Sequence, residues 1–285
     1  MRSKLFVPGS RPELFAKALA SAADAISIDL EDSVLENRKA EARATVREFL
    51  LSAAARATTK TIIVRVNALG TPHFEADVMA VAQPGLALLN LPKPECADDV
   101  HAAVAVLERA EAANRVIRPA GVLANIETPK GLRSAAEIAA AHPRVAGLQL
   151  GYLDLFGSMG IDRRDAASVH ATLFAVRTAA GSAGVFAYDG AFADVNDAEG
   201  FRAEARMARS LGYWGKSCIH PSQIALANEV FRPREEEVAQ AMRVIEASRK
   251  AEARGVGAFV LDGRMIEVPV VRRAEAIVAM SRQNW

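Results

Sequence analysis

At 285 residues, with a net charge of +1, 51% hydrophobic and 24% charged residues, the chain is balanced like a globular enzyme and long enough to bury a full core. No Lys/Arg cluster is long enough to hold nucleic acid or an anionic membrane, no stretch approaches the roughly 20 apolar residues of a spanning helix, and the apolar run at the N-terminus is too short for a signal-peptide core. Cys96 and Cys218 show neither metal-ligand nor CxxC spacing, so the expectation is a cytoplasmic protein with reduced thiols.

Short apolar runs alternate with helical periodicity along the chain. Residues 4–7 read as a first strand and 12–22 as an Ala-rich helix; 25–30 (AISIDL) is a second strand, followed by a charged helix over 38–55. A third strand spans 61–66, with a short helix at 74–81, and a fourth spans 86–91, with a helix at 97–113. The fifth strand, 122–126, ends on Glu127, after which Thr128 caps a helix opened by Pro129. The sixth, 145–150, is followed by Asp154 in a Gly-flanked loop and a helix at 165–180. A seventh strand at 184–188 precedes a helix at 198–211, and an eighth at 213–219 precedes a helix from Pro221 to about residue 230. Several of these strands are continuous apolar runs, as expected where both faces are buried.

Eight βα units predict an α/β fold, a TIM (β/α)8 barrel over 1–231. The alternative, a doubly wound sheet, has no GxGxxG after the first strand to support it. Residues 232–285 are surplus to a barrel: a helix at 234–254, a hairpin within 255–269 turning at Asp262-Gly263, and a last helix to the C-terminus. This helix–hairpin–helix extension is expected to be a lid or a subunit contact.

The strand ends carry the chemistry. Strand two ends in Asp29-Leu30-Glu31-Asp32, and alternation puts Asp29 and Glu31 on one face. Strand three ends with Arg65 and Asn67, four with Lys93, five with Glu127, six with Asp154, seven with Asp189 and eight with His220. In a barrel that edge is where ligands bind. Two carboxylates from adjacent strand ends, Glu127 and Asp154, suit Mg²⁺, which keeps several non-protein oxygens; capping and turn roles would explain them equally. Arg65 offers a planar fork for a substrate carboxylate, or pairs with Asp29 or Glu31. Lys93 is either a Schiff-base lysine of a metal-free aldolase or an ion-pair partner of a strand-two acid. His220, before Pro221, reads as a helix-entry residue.

Taken in order, LFVPGSRPELFAKAL, AISIDLEDSV, IIVRVN, NLPKPECADDV, IETPKG, GYLDLFGSMG, YDGAFADV and KSCIHPSQI resemble the citrate lyase β-subunit-like branch of the HpcH/HpaI aldolase superfamily, over essentially the whole chain. The resemblance implies a Mg²⁺-dependent, homotrimeric or homohexameric barrel acting on an acyl-CoA thioester and a small 2-oxo acid. It makes Glu127 and Asp154 the metal ligands and has Arg65 bind the 2-oxo acid. Asp29 and Glu31 order water, and the loop with Gly9 and Arg11 lies near the CoA phosphates; Lys93 and Glu127 complete the substrate contacts. Two departures bear on substrate choice: Gly151-Tyr152-Leu153-Asp154 where Ala or Asn commonly precedes an Asp-Leu pair, and Glu267 where an Asp is common.

These parts predict a carbon–carbon lyase that releases acetyl-CoA and a 2-oxo acid, pyruvate from citramalyl-CoA first and glyoxylate from malyl-CoA second. The resemblance further implies that this region folds over a neighbouring subunit's site, which makes Glu267 the expected acid for the enolate; a surface glutamate paired with Arg264 or Arg272 is the alternative. The remaining alternatives are a citryl-acyl-carrier lyase β subunit, a malyl-CoA thioesterase or malate synthase-type activity, and the Schiff-base pyruvate aldolase.

Overall fold

Eight parallel strands close into a barrel in chain order: β1 (Ser3–Pro8), β2 (Ala25–Asp29), β3 (Thr61–Arg65), β4 (Leu88–Pro92), β5 (Gly121–Ile126), β6 (Val145–Leu150), β7 (Phe186–Ala191) and β8 (Lys216–Cys218). β8 returns onto β1 with Ser3 beside Lys216, so no sheet edge is left open. The computed structural model describes residues 1–282. The chain divides into two compact units, Met1–Val230 and the segment from Phe231 onward.

The helices follow their caps. Thr128 Oγ1 accepts from the Gly131 N–H at 3.0 Å, with Pro129 in the first turn; Asp165 and Asp197 cap the helices Ala166–Ser182 and Ala198–Ser210 in the same way. Three expectations change. The helix over 38–55 breaks at Ser52, whose hydroxyl caps a separate helix Ala53–Ala57. β7 starts and ends later than 184–188, and β8 is only three residues long. After β6 comes a helix, Tyr152–Met159, rather than a loop, and Asp154 stands in its first turn.

One face of each strand turns into the lumen, and its chemistry changes along the barrel. Ala25, Ile63 and Leu123, with Leu88 and Phe186, make an apolar floor. Two residues further along β2 and β5 stand Ser27 and Asn125; two further again come Asp29 and Glu127. Along these strands the lumen therefore grades from hydrocarbon through uncharged polar groups to carboxylates at the C-terminal ends.

The second unit has its own core. Helices Glu235–Glu252 and Val268–Arg282 pack together, and Ala241, Val244, Ile266, Ala274 and Val278 are buried there. Between them runs an antiparallel hairpin, β9 (Phe259–Leu261) and β10 (Arg264–Ile266). Asp262 and Gly263 form its turn at φ of 51° and 75°, the left-handed pair a two-residue hairpin turn needs. The expected helix to the C-terminus is seen up to Arg282; residues 283–285 lie outside the described residues.

Candidate active site at the barrel mouth

Strand register brings the predicted residues together. Asp29 and Arg65 are partners across β2 and β3, and Arg65 closes on Asp29 with Nε 2.7 Å from Oδ1 and Nη2 2.9 Å from Oδ2. Arg65 Nη1 lies 2.8 Å from Glu31 and 3.1 Å from Asp32. Lys93, just past β4, links the next strands: its Nζ is 3.2 Å from Glu31 and 2.8 Å from Asp154, and its N–H donates to Glu127 Oε1 at 3.1 Å. Lys93 is held at a φ of 53°, unusual for a residue other than glycine, and this turn aims both its N–H and its ammonium at the acids. Of the two readings of Lys93, the ion-pair partner is the one observed.

Glu127 and Gly151 follow directly after the paired residues Ile126 and Leu150 of β5 and β6. A Cβ on Gly151 would lie 2.3 Å from Glu127 Oε2, so only glycine lets this carboxylate occupy its place. Asp29, Arg65, Glu127, Gly151 and Asp154, with Phe6, Pro8 and Tyr152 among others, line a cavity of about 420 Å³. That is room for a small acid and the end of a thioester.

Charge is out of balance here. Five carboxylates (Asp29, Glu31, Asp32, Glu127, Asp154) face two cations (Arg65, Lys93). Burial works against the charge of Asp29, but Arg65 and the Ser33 and Glu31 N–H groups outweigh it and hold its pKa below the usual range. Burial also opposes the Lys93 charge, and Asp154 and Glu31 overcome it, raising its pKa. Glu127 has no such cation of its own: burial, then Glu31, pushes its pKa up to about 8. Burial likewise raises Glu31, whose Oε2 is near Arg65 but makes no hydrogen bond.

Such a surplus of anionic oxygen fits a divalent cation. Among the described residues no group of three or more His, Cys, Asp or Glu gathers as a protein cage. Glu127 and Asp154, both held on Lys93, are the kind of sparse oxygen pair Mg²⁺ accepts, with water and substrate completing its shell.

Other strand-end residues lie elsewhere. Asp189 is fully buried and faces the helix layer: Lys216 Nζ is 2.6 Å from it and 2.5 Å from Glu204 on the helix Ala198–Ser210, while Tyr152 Oη donates to it at 3.0 Å. Strand alternation explains the correction, since Asp189 follows the inward-facing Tyr188. Asn67 is spent on Lys39 and Asp77, and His220 is exposed beside Ser222. Gly9 packs on β2, donating to the Asp29 carbonyl at 2.8 Å. Arg11 is exposed and paired with Glu13 at 2.9 Å. Glu267 is exposed in the second unit, between β10 and the helix Val268–Arg282.

Sequence reasoning missed Lys4, Asn125 and Gln149 in the lumen beneath the mouth. Polar residues at alternate positions in otherwise apolar strands were the available signal.

A closed parallel barrel with clustered acids, an arginine and a lysine at its C-terminal mouth defines a TIM-barrel enzyme. The HpcH/HpaI aldolase/citrate lyase family profile matches residues 2–221, and the chain belongs to that family. It is 38% identical to the L-malyl-CoA/beta-methylmalyl-CoA lyase of Cereibacter sphaeroides, over 97% of this chain and 93% of that protein. It is 34% identical to citrate lyase subunit beta of Leuconostoc mesenteroides subsp. cremoris, over 99% of this chain and 94% of that one. The solved structure of CitE from Mycobacterium tuberculosis in complex with magnesium, acetoacetate and coenzyme A aligns with a TM-score of 0.76 at 36% identity, covering 99% of each chain. The protein is accordingly a carbon–carbon lyase of the oxo-acid-lyase type. No helix among the described residues is long and apolar enough to cross a membrane.

Proposed function

We propose that this lyase cleaves a short 3-hydroxyacyl-CoA of the malyl-CoA or citramalyl-CoA type into acetyl-CoA and a 2-oxo acid, with Mg²⁺ held by Glu127 and Asp154. The observation that carries this reading is Glu127: a buried carboxylate with its pKa pushed up to about 8, in a pocket that only Gly151 leaves open, beside Lys93 and Asp154. The relatives named for malyl-CoA chemistry and the neighbour holding magnesium and coenzyme A support it.

Bound there, the ion would supply Lewis-acid polarisation of the substrate's carboxylate and hydroxyl oxygens. The protein supplies the rest. Arg65, kept charged by Asp29, Glu31 and Asp32, meets the substrate carboxylate through Nη1, which exchanges its Glu31 and Asp32 contacts for the substrate's oxygens, while Asp29 keeps the Nε–Nη2 edge. Glu31 Oε2, which makes no hydrogen bond, is the acceptor for the hydroxyl proton. As that proton leaves, the carbonyl of the 2-oxo acid forms, the carbon–carbon bond breaks and its electron pair moves onto the thioester as an enolate. A protonated acid must then deliver a proton to the enolate carbon, and Glu267 of a neighbouring copy in a homo-oligomer is the group we assign. Lys93 screens Asp154 and Glu31 from each other.

The test is a panel of citramalyl-CoA, malyl-CoA and citryl thioesters assayed with Mg²⁺ and with chelator. Glu127→Gln and Asp154→Asn should each abolish turnover and weaken Mg²⁺ binding. Full activity in excess chelator, or undiminished Mg²⁺ affinity by calorimetry in both variants, would sink the metal assignment.

A further inference from the structure

Lys4 is fully buried inside the barrel, on β1, below the catalytic mouth. Its Nζ donates to Gln149 Oε1 and lies 4.5 Å from the Phe6 ring centroid and 5.3 Å from that of Tyr188. Its hydrogen-bond partner is thus an amide, and among the described residues no carboxylate lies in ion-pair contact with it. An ammonium buried without an acid loses its water and gains no counter-ion in exchange. Burial accordingly lowers its pKa well below the ordinary lysine value, with Arg65 adding to the effect.

What Lys4 touches leads upward. Gln149 Nε2 donates to Asn125 Oδ1 at 3.0 Å, and Asn125 Nδ2 donates to Glu127 Oε2 at 2.7 Å. Gln149 and Asn125 are register partners on β6 and β5, so their side chains stand side by side. An amide can be turned either way, but this chain has only one consistent order. Glu127 is ionised when it holds a cation and then only accepts, so Asn125 must present its NH₂. Asn125 Oδ1 then needs a donor, which is Gln149 Nε2, and that leaves Gln149 Oε1 facing the lumen. Lys4 is the donor that meets it there, with Asn90 Nδ2 a distant second at 3.5 Å.

From this geometry we infer that Lys4 is a positioning residue: through the amides of Gln149 and Asn125 it fixes Glu127 Oε2 and leaves Oε1 turned to the mouth for a divalent cation. Without Lys4, Gln149 Oε1 loses its donor, and the inverted order of Gln149 and Asn125, which would turn a carbonyl oxygen on Glu127, begins to compete with the order that holds the carboxylate in place. Asn125 holds Glu127 directly, and groups in that position typically contribute about 10–100-fold to metal affinity or activity; Lys4, two amides further away, belongs at the lower edge of that range. The inference rests on the reading of Glu127 as a metal ligand.

The experiment uses full-length Lys4→Met, Gln149→Met, the double variant and Glu127→Gln, with Mg²⁺ affinity by calorimetry, Tm, and kcat as a function of Mg²⁺. The expected result is Mg²⁺ affinity at least about tenfold weaker in Lys4→Met, at the lower edge of that range, with Tm unchanged or higher because no buried amine is left to desolvate. Raising Mg²⁺ should bring kcat back toward the wild-type value, which a general loss of structure would not allow. The double variant should be no worse than Gln149→Met alone, because both act through one chain. If Lys4→Met does not fold, Gln149→Met carries the same comparison. Wild-type Mg²⁺ affinity in Lys4→Met or Gln149→Met, while Glu127→Gln loses binding, overturns the inference and leaves the metal site standing. Additive losses in the double variant also overturn it. Undiminished Mg²⁺ affinity in Glu127→Gln removes Glu127 as a ligand, and this inference with it.

Discussion

Arg65 and Asp29 are bound edge to edge across neighbouring strands, two near-parallel hydrogen bonds of 2.7 and 2.9 Å between one guanidinium and one carboxylate. The pair fixes the plane of the guanidinium and so decides which edge a substrate meets. A lysine at this position would keep a charge but lose both the plane and the second edge. Arg65→Lys should therefore be nearly as impaired as Arg65→Ala. A hydrogen bond to a charged group is worth about 1.5–3 kcal/mol, roughly a tenfold to hundredfold loss in kcat/KM. Steady-state kinetics on both variants check this; retention of most of the wild-type kcat/KM in Arg65→Lys would make Arg65 a purely structural residue.

Lys93 is the lysine at the mouth that the metal-free aldolase reading would use, and its surroundings oppose that use. Asp154 and Glu31 keep it charged, whereas a nucleophilic amine must be neutral. Borohydride added with pyruvate should leave the protein unlabelled at Lys93 and fully active. A mass increase mapped to Lys93 would revive the metal-free aldolase.

Glu267 leaves the hairpin where the last helix begins, with its carbonyl accepting from the Val270 N–H at 2.9 Å and its side chain exposed. A general acid contributes typically ~10²–10⁴-fold in rate, whereas an exposed ion pair is worth about 1 kcal/mol or less of stability. Glu267→Gln should thus lose at least about a hundredfold in kcat, at the lower end of that range, at an unchanged Tm. Mixing inactive Glu267→Gln with inactive Glu127→Gln under subunit exchange should restore activity where an intact Glu127 meets an intact Glu267. No recovery, with exchange verified by native mass spectrometry, would confine Glu267 to its own chain or to no role.

The two cysteines should behave differently toward thiol reagents. Burial pushes the Cys218 thiol up to about 12, so at pH 8 only about one molecule in ten thousand is a thiolate there. Cys96 is half-buried. Native protein should react with one equivalent of a chromogenic disulfide and denatured protein with two. Rapid labelling of both thiols in the native state would contradict the burial of Cys218.

The barrel was legible because most strands are short apolar runs with a polar residue at or just past their ends, and capped helices lie between them. The mouth was legible for the same reason: Asp29, Arg65, Lys93, Glu127 and Asp154 each stand within a few residues of a strand end. Asp189 misled because a strand end shows that a residue is near the rim, not which face of the sheet it leaves by. One residue of phase sends it outward to Lys216. Asp154 was read in a loop because its flanking glycines hid a two-turn helix that tertiary packing of Tyr152, Leu155 and Phe156 stabilises. Lys4 escaped because contacts across a lumen join residues 145 positions apart, a distance no periodicity in the chain records.

Gly151 sets a boundary on how this pocket can be remodelled. With no room for even one added carbon against Glu127, position 151 is closed to any search for altered substrate range. Two residues later Leu153 lines the same cavity with its side chain 65% exposed, free to grow, shrink or carry charge without pressing on the carboxylate. Libraries aimed at longer or branched acyl chains should therefore spend their diversity at Leu153 and keep Gly151 invariant.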